Sequence, residues 1–139
     1  MTIPAAPGSF SGAPNTIRPR IVLVEDDAGV RRSLQLVLQA RGLDVRSYAT
    51  AAAVLGDPAA LDAACLVTDY ALGETTGTTL AQTLRARGWH GPAILITAFP
   101  SPALTAEASA AGIARVLEKP FQEHALIDAV LSSLRTPAS

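Results

Sequence analysis

The sequence predicts an α/β fold in which five β-strands alternate with five helices. Short apolar runs recur along the chain, such as residues 21–24 and 65–68, and each stops abruptly at an acidic or polar residue. Segments of helical length, several of them amphipathic, separate these runs. Runs that are apolar on both faces are typical of strands in a parallel sheet covered by helices on both sides. We therefore expect a doubly wound, five-stranded parallel sheet with right-handed crossovers.

Each element has its own local signal. The segment after the first strand places Val30, Leu34, Val37 and Leu38 on one apolar face, which predicts an amphipathic helix capped by Asp27. Thr50 is expected to cap a short alanine-rich helix. The predicted strands are residues 21–24, 43–48, 65–68, 93–96 and 115–118. The predicted helices are residues 27–41, 50–56, 77–88, 102–111 and 124–134.

Length and composition limit the class of protein. The 139 residues suit one domain, 49% of them are hydrophobic, and the net charge of -1 gives no reason to expect nucleic-acid binding. Cys65 is the only cysteine, which excludes an internal disulfide. No apolar run is long enough to cross a bilayer, and no signal peptide is evident, so we expect a cytoplasmic protein. We expect a globular domain at residues 20–135, between a disordered N-terminal tail (1–19) and a short C-terminal tail (136–139).

Polar side chains stand where the predicted strands end. Glu25 and Asp26 follow the first strand, Asp69 the third, Thr97 the fourth and Lys119 the fifth. With the strand order 2-1-3-4-5, the first and third strands would be neighbours, and ligands of such sheets bind beyond their carboxyl ends. Three carboxylates would then meet there, and their repulsion requires a positive partner. Oxygen ligands without histidine or cysteine favour Mg²⁺ or Mn²⁺ over zinc.

Lys119 is the second candidate for this positive partner. Of the eleven basic residues ten are arginine, so Lys119 is the only lysine in the chain. Its ammonium is a compact charge, unlike the wide guanidinium fork. A carboxylate such as Asp69 can attack a phosphoryl group to form an acyl phosphate, a reaction that depends on positioning and charge neutralisation. The Thr97 hydroxyl could donate a hydrogen bond to one phosphoryl oxygen.

At these residues the chain resembles the receiver domain of two-component response regulators. The motifs that carry the resemblance are Glu25-Asp26-Asp27, Asp69 with Gly77 downstream, Thr97-Ala98 and Lys119-Pro120-Phe121, each at a strand end and in this order. The resemblance covers residues 20–134 and implies a flavodoxin-like sheet of order 2-1-3-4-5.

The resemblance also implies roles. Asp69 would be the phosphoacceptor, Thr97 the switch hydroxyl, and Lys119 the bridge to the phosphoryl group, with a cis peptide before Pro120. Asp26, Asp69 and the backbone carbonyl of Ala71 would bind Mg²⁺ directly, and Glu25 would do so through water. The domain would catalyse only its own phosphorylation and dephosphorylation, so it would not be an enzyme acting on other substrates.

Partners follow from the same resemblance. The phosphoryl donor would be a sensor histidine kinase or a histidine phosphotransfer protein, docking at the first helix and the Lys119 loop. The output would be a downstream protein or a homodimer formed through the fourth helix, fifth strand and fifth helix. We expect no contact of this chain with nucleic acid or membrane. Whether the chain is a single-domain regulator or the receiver of a longer one stays open.

Two other functions compete with this one. Val116 stands three residues before the lysine, where many receivers have an aromatic residue that swings inward with the threonine. This departure gives some support to a phosphorylation-independent interaction module with the same fold, but the complete set of acids, threonine and lysine argues against it. A small phosphatase with an aspartate nucleophile is the third candidate, but such enzymes place a second acid two residues after the nucleophile, where this chain has Ala71.

Overall fold

The computed structural model describes residues 18–135. The strands are β1 (Arg20–Val24), β2 (Asp44–Tyr48), β3 (Cys65–Asp69), β4 (Ala93–Thr97) and β5 (Arg115–Glu118). The helices are α1 (Ala28–Gln39), α2 (Ala51–Leu55), α3 (Gly77–Ala86), α4 (Pro102–Ala110) and α5 (Glu123–Arg135). Nearly all of the predicted tails, residues 1–17 and 136–139, lies outside the described residues.

All strand pairs are parallel, and their order is β2-β1-β3-β4-β5, as predicted. The register pairs Val24 with Thr68 and Asp69 with Ile96, so the ends of the first, third and fourth strands lie side by side. The order reverses between β1 and β3, which places the predicted acidic residues at the reversal point.

Alternate residues of the central strands pack on opposite faces of the sheet. Ile21 and Leu23 belong to a cluster beneath α1 and α5, whereas Val22 and Val24 belong to one beneath α2 and α3. This two-sided burial is what the uninterrupted apolar runs predicted. Each fully buried leucine or valine contributes about 1.5–3 kcal/mol to folding, so the strands are fixed firmly enough to hold the residues at their ends.

Capping side chains begin four of the helices. Asp27 accepts a hydrogen bond from the Val30 N–H, and Thr50 accepts one from the Ala53 N–H, as predicted for both residues. Thr76 and Ser101 do the same for α3 and α4. Such a cap is worth about 1 kcal/mol.

Two predictions of burial and one of secondary structure were incomplete. Val30 is 38% exposed, and Val37 is only half-buried, because α1 packs through the narrower stripe of Leu34 and Leu38. A 3-10 helix at Pro58–Asp62 lies in a segment for which the sequence predicted no helix or strand. Asp57 caps this helix through the Ala59 N–H. Among residues 18–135, no helix combines the length and the hydropathy needed to span a membrane.

Candidate functional site

Three carboxylates meet at the carboxyl ends of β1 and β3. Glu25 and Asp26 follow β1 and Asp69 ends β3, and one oxygen of each lies within 4.8 Å of the others. Glu25 is 2% exposed and Asp69 is 9% exposed, whereas Asp26 faces solvent. The sequence prediction that these three acids converge is confirmed.

The side chain of Lys119 reaches this cluster from β5. Its Nζ lies 3.2 Å from Oδ1 of Asp69 and 3.4 Å from Oε1 of Glu25. The Lys119 N–H donates to the carbonyl of Thr97, and the peptide bond to Pro120 is cis, as the resemblance implied. Phe121 packs against the cluster beneath α1 and α5 and anchors the loop that carries the lysine.

The electrostatics of the cluster reflect burial and opposing charges. Burial raises the pKa of Glu25, and the charge of Asp69 adds to this, although the Asp27 N–H and Lys119 act in the opposite direction. Burial also raises the pKa of Asp69, against the lowering effect of Lys119. Burial alone would lower the pKa of Lys119, but the charges of Asp69 and Glu25 outweigh it and raise that pKa. Two buried carboxylates thus share one ammonium, and excess negative charge remains.

A backbone N–H and an arginine side chain hold Glu25, the first acid, in place. The Asp27 N–H donates to Oε2 of Glu25 at 3.1 Å, and Nη1 of Arg31 donates to the Glu25 carbonyl at 2.8 Å. The sequence interpretation did not single out Arg31. The only signal was a polar residue one turn into the first helix, which is too common to identify a contact.

The predicted site residues Thr97 and Ala71 lie on adjoining segments. Thr97 is buried one position beyond Ile96, the register partner of Asp69, and its hydroxyl oxygen accepts from the Phe99 N–H at 3.1 Å. The hydroxyl hydrogen is not used in that bond. Ala71 is exposed in the loop between β3 and α3 and pairs with Thr76.

Close packing fixes Asp69 from the α3 side. A Cβ on Gly77 would lie 2.5 Å from the Asp69 carbonyl oxygen and 2.9 Å from Leu95 and Thr68 side-chain atoms. The N–H of Gly77 donates to the carbonyl of Tyr70 at 2.8 Å. Only glycine lets the first turn of α3 approach the strand end this closely.

This set of groups fits a hard divalent cation. The cluster offers carboxylate oxygens alone, and carboxylates with water are the usual ligands of Mg²⁺. The exposed Asp26 leaves one side of the cluster open to solvent. Beside it a groove of about 590 Å³ is lined by Thr50, which caps α2, by Leu55 at the end of α2, and by loop residues such as Gly73 and Glu74.

A comparison with models of protein families matches residues 21–131 to the response regulator receiver domain. The chain belongs to this family. As a receiver domain of two-component systems it shares the flavodoxin-like sheet of order 2-1-3-4-5, and the family assignment made from the sequence motifs is confirmed.

Several curated proteins are similar to this receiver domain. It is 40% identical to the transcriptional regulatory protein FixJ of Azorhizobium caulinodans, over 81% of the chain and 53% of FixJ. It is 30% identical to the C4-dicarboxylate transport transcriptional regulatory protein DctR of Rhodobacter capsulatus, over 81% of the chain and 58% of DctR. The chain thus spans about half the length of the curated relatives it matches.

Solved receiver structures share the fold. A two-component response regulator from Clostridium difficile superposes with a TM-score of 0.80 at 19% identity, covering 88% of this chain and 100% of that one. The non-phosphorylated HemR receiver domain from Leptospira biflexa superposes with a TM-score of 0.79 at 23% identity, covering 88% of this chain and 98% of that one.

Proposed function

We propose that this receiver domain accepts a phosphoryl group on Asp69 from a phosphohistidine donor, in a Mg²⁺-dependent reaction, and thereby switches its binding to a partner. The observation that carries the proposal is the position of Lys119 between two buried acids, with Asp26 beside them. A structural ion pair needs one acid, whereas here the excess negative charge calls for a cation that can also bind phosphate oxygens.

Asp26, Asp69 and the backbone carbonyl of Ala71 would hold Mg²⁺ directly, and the more enclosed Glu25 through water. Mn²⁺ has similar ligand preferences and could substitute. Bound there, the ion supplies positive charge that offsets the repulsion between the acids and the incoming phosphoryl oxygens. Support comes from the oxygen-only ligand set and the excess negative charge.

The transfer uses the side chains in distinct ways. One carboxylate oxygen of Asp69 attacks phosphorus, the P–N bond of phosphohistidine breaks, and its electron pair returns to the imidazole nitrogen. Lys119 neutralises a phosphoryl oxygen, and the free hydroxyl hydrogen of Thr97 donates to another. Hydrolysis removes the phosphoryl group and restores the Asp69 carboxylate. Water attacks phosphorus, the bond between phosphorus and the Asp69 oxygen breaks, and phosphate is released.

Labelling with a phosphoryl donor tests the assignment of Asp69. Wild type should incorporate label from acetyl phosphate, or from a histidine kinase, only with Mg²⁺ present. Asp69→Asn keeps the side-chain shape, and it should incorporate none. Asp62→Asn, a change at an exposed acid of the 3-10 helix, serves as the matched control and should label normally. Equal labelling of wild type and Asp69→Asn would move the site elsewhere.

A phosphorylation-independent interaction module is the second candidate, favoured by Val116 at the position of the usual aromatic switch residue. Val116 is half-buried against the cluster of Leu95, Leu104 and Ala108. Amide NMR spectra recorded with Mg²⁺ and then beryllofluoride, a phosphoryl mimic, separate the two functions. A switch responds to beryllofluoride, whereas spectra that do not change would support the module.

The partners of the switch are proposals of the same kind. We infer docking of a sensor histidine kinase or histidine phosphotransfer protein at α1 and the Lys119 loop, and output through the face of α4, β5 and α5. The relatives are transcriptional regulators, so a DNA-binding partner domain is consistent with the family, while residues 20–135 would form the receiver unit itself.

A further inference from the structure

Glu107 on α4 joins two segments next to the candidate phosphorylation site. One of its carboxylate oxygens accepts from the Tyr70 hydroxyl at 3.4 Å, and the other accepts a short hydrogen bond from the hydroxyl of Thr78. Thr78 is 1% exposed in the first turn of α3. A single carboxylate therefore holds α4 to α3 and to the residue that directly follows Asp69.

Tyr70 is tied closely to the end of β3. Its N–H donates to the Ile96 carbonyl at 2.7 Å, and its carbonyl accepts from Gly77 at 2.8 Å. Its side chain packs against the cluster formed by Leu95, Leu104 and Ala108. A shift of the backbone at Asp69 would therefore move a ring and a hydroxyl that both contact α4.

Few other interactions hold α4 in position. Leu104 and Ala108 are its only buried residues, and the remaining side chains are exposed except for half-buried Glu107. A helix fixed by so few buried side chains can change position at low cost in free energy. The two hydrogen bonds of Glu107 are then among the contacts that select one position of α4, together with the hydrogen bond from Arg85 to the Gly112 carbonyl just after the helix.

The small cluster under α4 also contains the position where many receivers have the aromatic switch residue. Val116 packs against the same cluster as Tyr70, but valine has no hydroxyl group and no ring. In this chain the aromatic group at that cluster comes from Tyr70, one residue after the candidate phosphoacceptor.

We propose that Tyr70 is a positioning residue that couples the state of Asp69 to the position of α4 through its contact with Glu107. The inference rests on the proposed function of Asp69. When the charge at Asp69 changes, the loop after β3 shifts, the Tyr70 hydroxyl changes its distance to Glu107, and α4 moves between two arrangements.

The test uses conservative variants and a site-by-site readout. Tyr70→Phe removes only the hydroxyl, and Glu107→Gln removes the charge while keeping the side-chain length. Thr105→Ala changes an exposed residue of the same helix and serves as the control. Amide NMR spectra of each protein are recorded with Mg²⁺ alone and then with beryllofluoride, and shifts are measured separately for the β3–α3 loop and for α4.

In wild type and Thr105→Ala, beryllofluoride should shift amides of both the loop and α4. In Tyr70→Phe and Glu107→Gln, the loop should respond fully, while the α4 response falls to about a third of the wild-type value, in line with the coupling carried by single residues in such networks. If the two residues had only a structural role, the spectra of both variants would already differ from wild type before beryllofluoride is added, and the size of the α4 response would stay unchanged.

An undiminished α4 response in both variants, with a normal loop response, would overturn the coupling and leave the function of Asp69 standing. A wild-type protein that shows no response in the loop would overturn the proposed function, and the coupling with it.

Discussion

Nζ of Lys119 lies 3.2 Å from Oδ1 of Asp69, so the residue that directly follows edge strand β5 supplies the counter-charge for the acid at the end of central strand β3. The same Nζ lies 3.4 Å from Oε1 of Glu25. One ammonium thus offsets two buried carboxylates, which makes the lysine important to the metal-free fold as well as to the proposed transfer.

Replacing Lys119 by methionine should destabilise the metal-free protein. Glu25 and Asp69 would lose their counter-charge, and because Lys119 is 31% exposed we expect a cost of about 1–3 kcal/mol, below that of a fully buried pair. Mg²⁺ should bind the variant more tightly because a competing positive charge is gone. Urea unfolding in EDTA and Mg²⁺ titration measure the two effects. Lys119→Arg, which keeps the charge, should lose less stability, and equal losses would contradict a charge effect.

Asp26→Asn, unlike the change at Lys119, should not destabilise the metal-free protein. Removing one of three neighbouring acids lowers their mutual repulsion, so the metal-free variant should be at least as stable as wild type. Mg²⁺ at about a hundred times its Kd should stabilise wild type by about 2.7 kcal/mol and the variant by far less. Thermal unfolding with and without Mg²⁺ gives both quantities. Asp128→Asn, at an exposed acid of α5, should behave like wild type.

Two glycine substitutions should change stability in opposite directions. Gly77→Ala places a Cβ 2.5 Å from the Asp69 carbonyl, and relieving that clash should cost about 1–3 kcal/mol. Gly29→Ala meets nothing closer than 3.4 Å in α1 and should stabilise by up to about 1 kcal/mol. Urea unfolding of both variants checks the signs. A neutral Gly77→Ala would show that α3 can move away from the strand end.

The sequence allowed the fold and the acid cluster to be predicted because both depend on local patterns. Apolar runs locate strands, and the residue that ends a parallel strand must lie at one edge of the sheet. The bonds of Glu107 could not be predicted, because they join residues that are 29 and 37 positions apart and depend on how α4 packs. The exposure of Val30 has a similar cause. The sequence placed Val30 on the apolar face of α1, but how much of that face is buried depends on the sheet against which α1 packs.

The phosphoryl group that we propose Asp69 accepts should persist for minutes or longer. Ala71 and Phe99 flank the site, and neither side chain can orient an attacking water by hydrogen bonding; Phe99 is also 85% exposed. Ala71→Gln introduces an amide at an exposed position and should speed the loss of phosphate about ten-fold, which is less than the roughly hundred-fold of a positioned general base, because an amide orients water but does not take its proton. Loss of label over time measures both rates, with Glu74→Gln as the control in the same loop. Decay of wild type within seconds would contradict the argument.

Stability should depend on pH through the pair of Tyr48 and Asp57, which lies at the end of β2. The Tyr48 hydroxyl donates to Oδ2 of Asp57 at 2.6 Å. Burial, this hydrogen bond and the charge of Asp57 raise the pKa of Tyr48 from 10.0 to about 12. The same hydrogen bond, together with one from the Ala59 N–H, lowers the pKa of Asp57 below 3.8.

The two shifts predict losses of stability at opposite ends of the pH range. A tyrosine whose pKa is raised by folding contributes stability below pH 10.0 and loses it as the pH rises toward 12. A carboxyl whose pKa is lowered by folding contributes stability above pH 3.8 and loses it as the pH falls through its pKa in the folded protein.

The difference in unfolding free energy between wild type and Tyr48→Phe should therefore be largest near neutral pH and shrink toward both acid and alkaline pH. Asp57→Asn, compared with its own Tyr48→Phe double variant, should keep the alkaline decline and lose the acid one. Urea unfolding at about pH 3, 7 and 11 tests this, and a difference that is the same at all three values would show that the hydrogen bond is not coupled to ionisation.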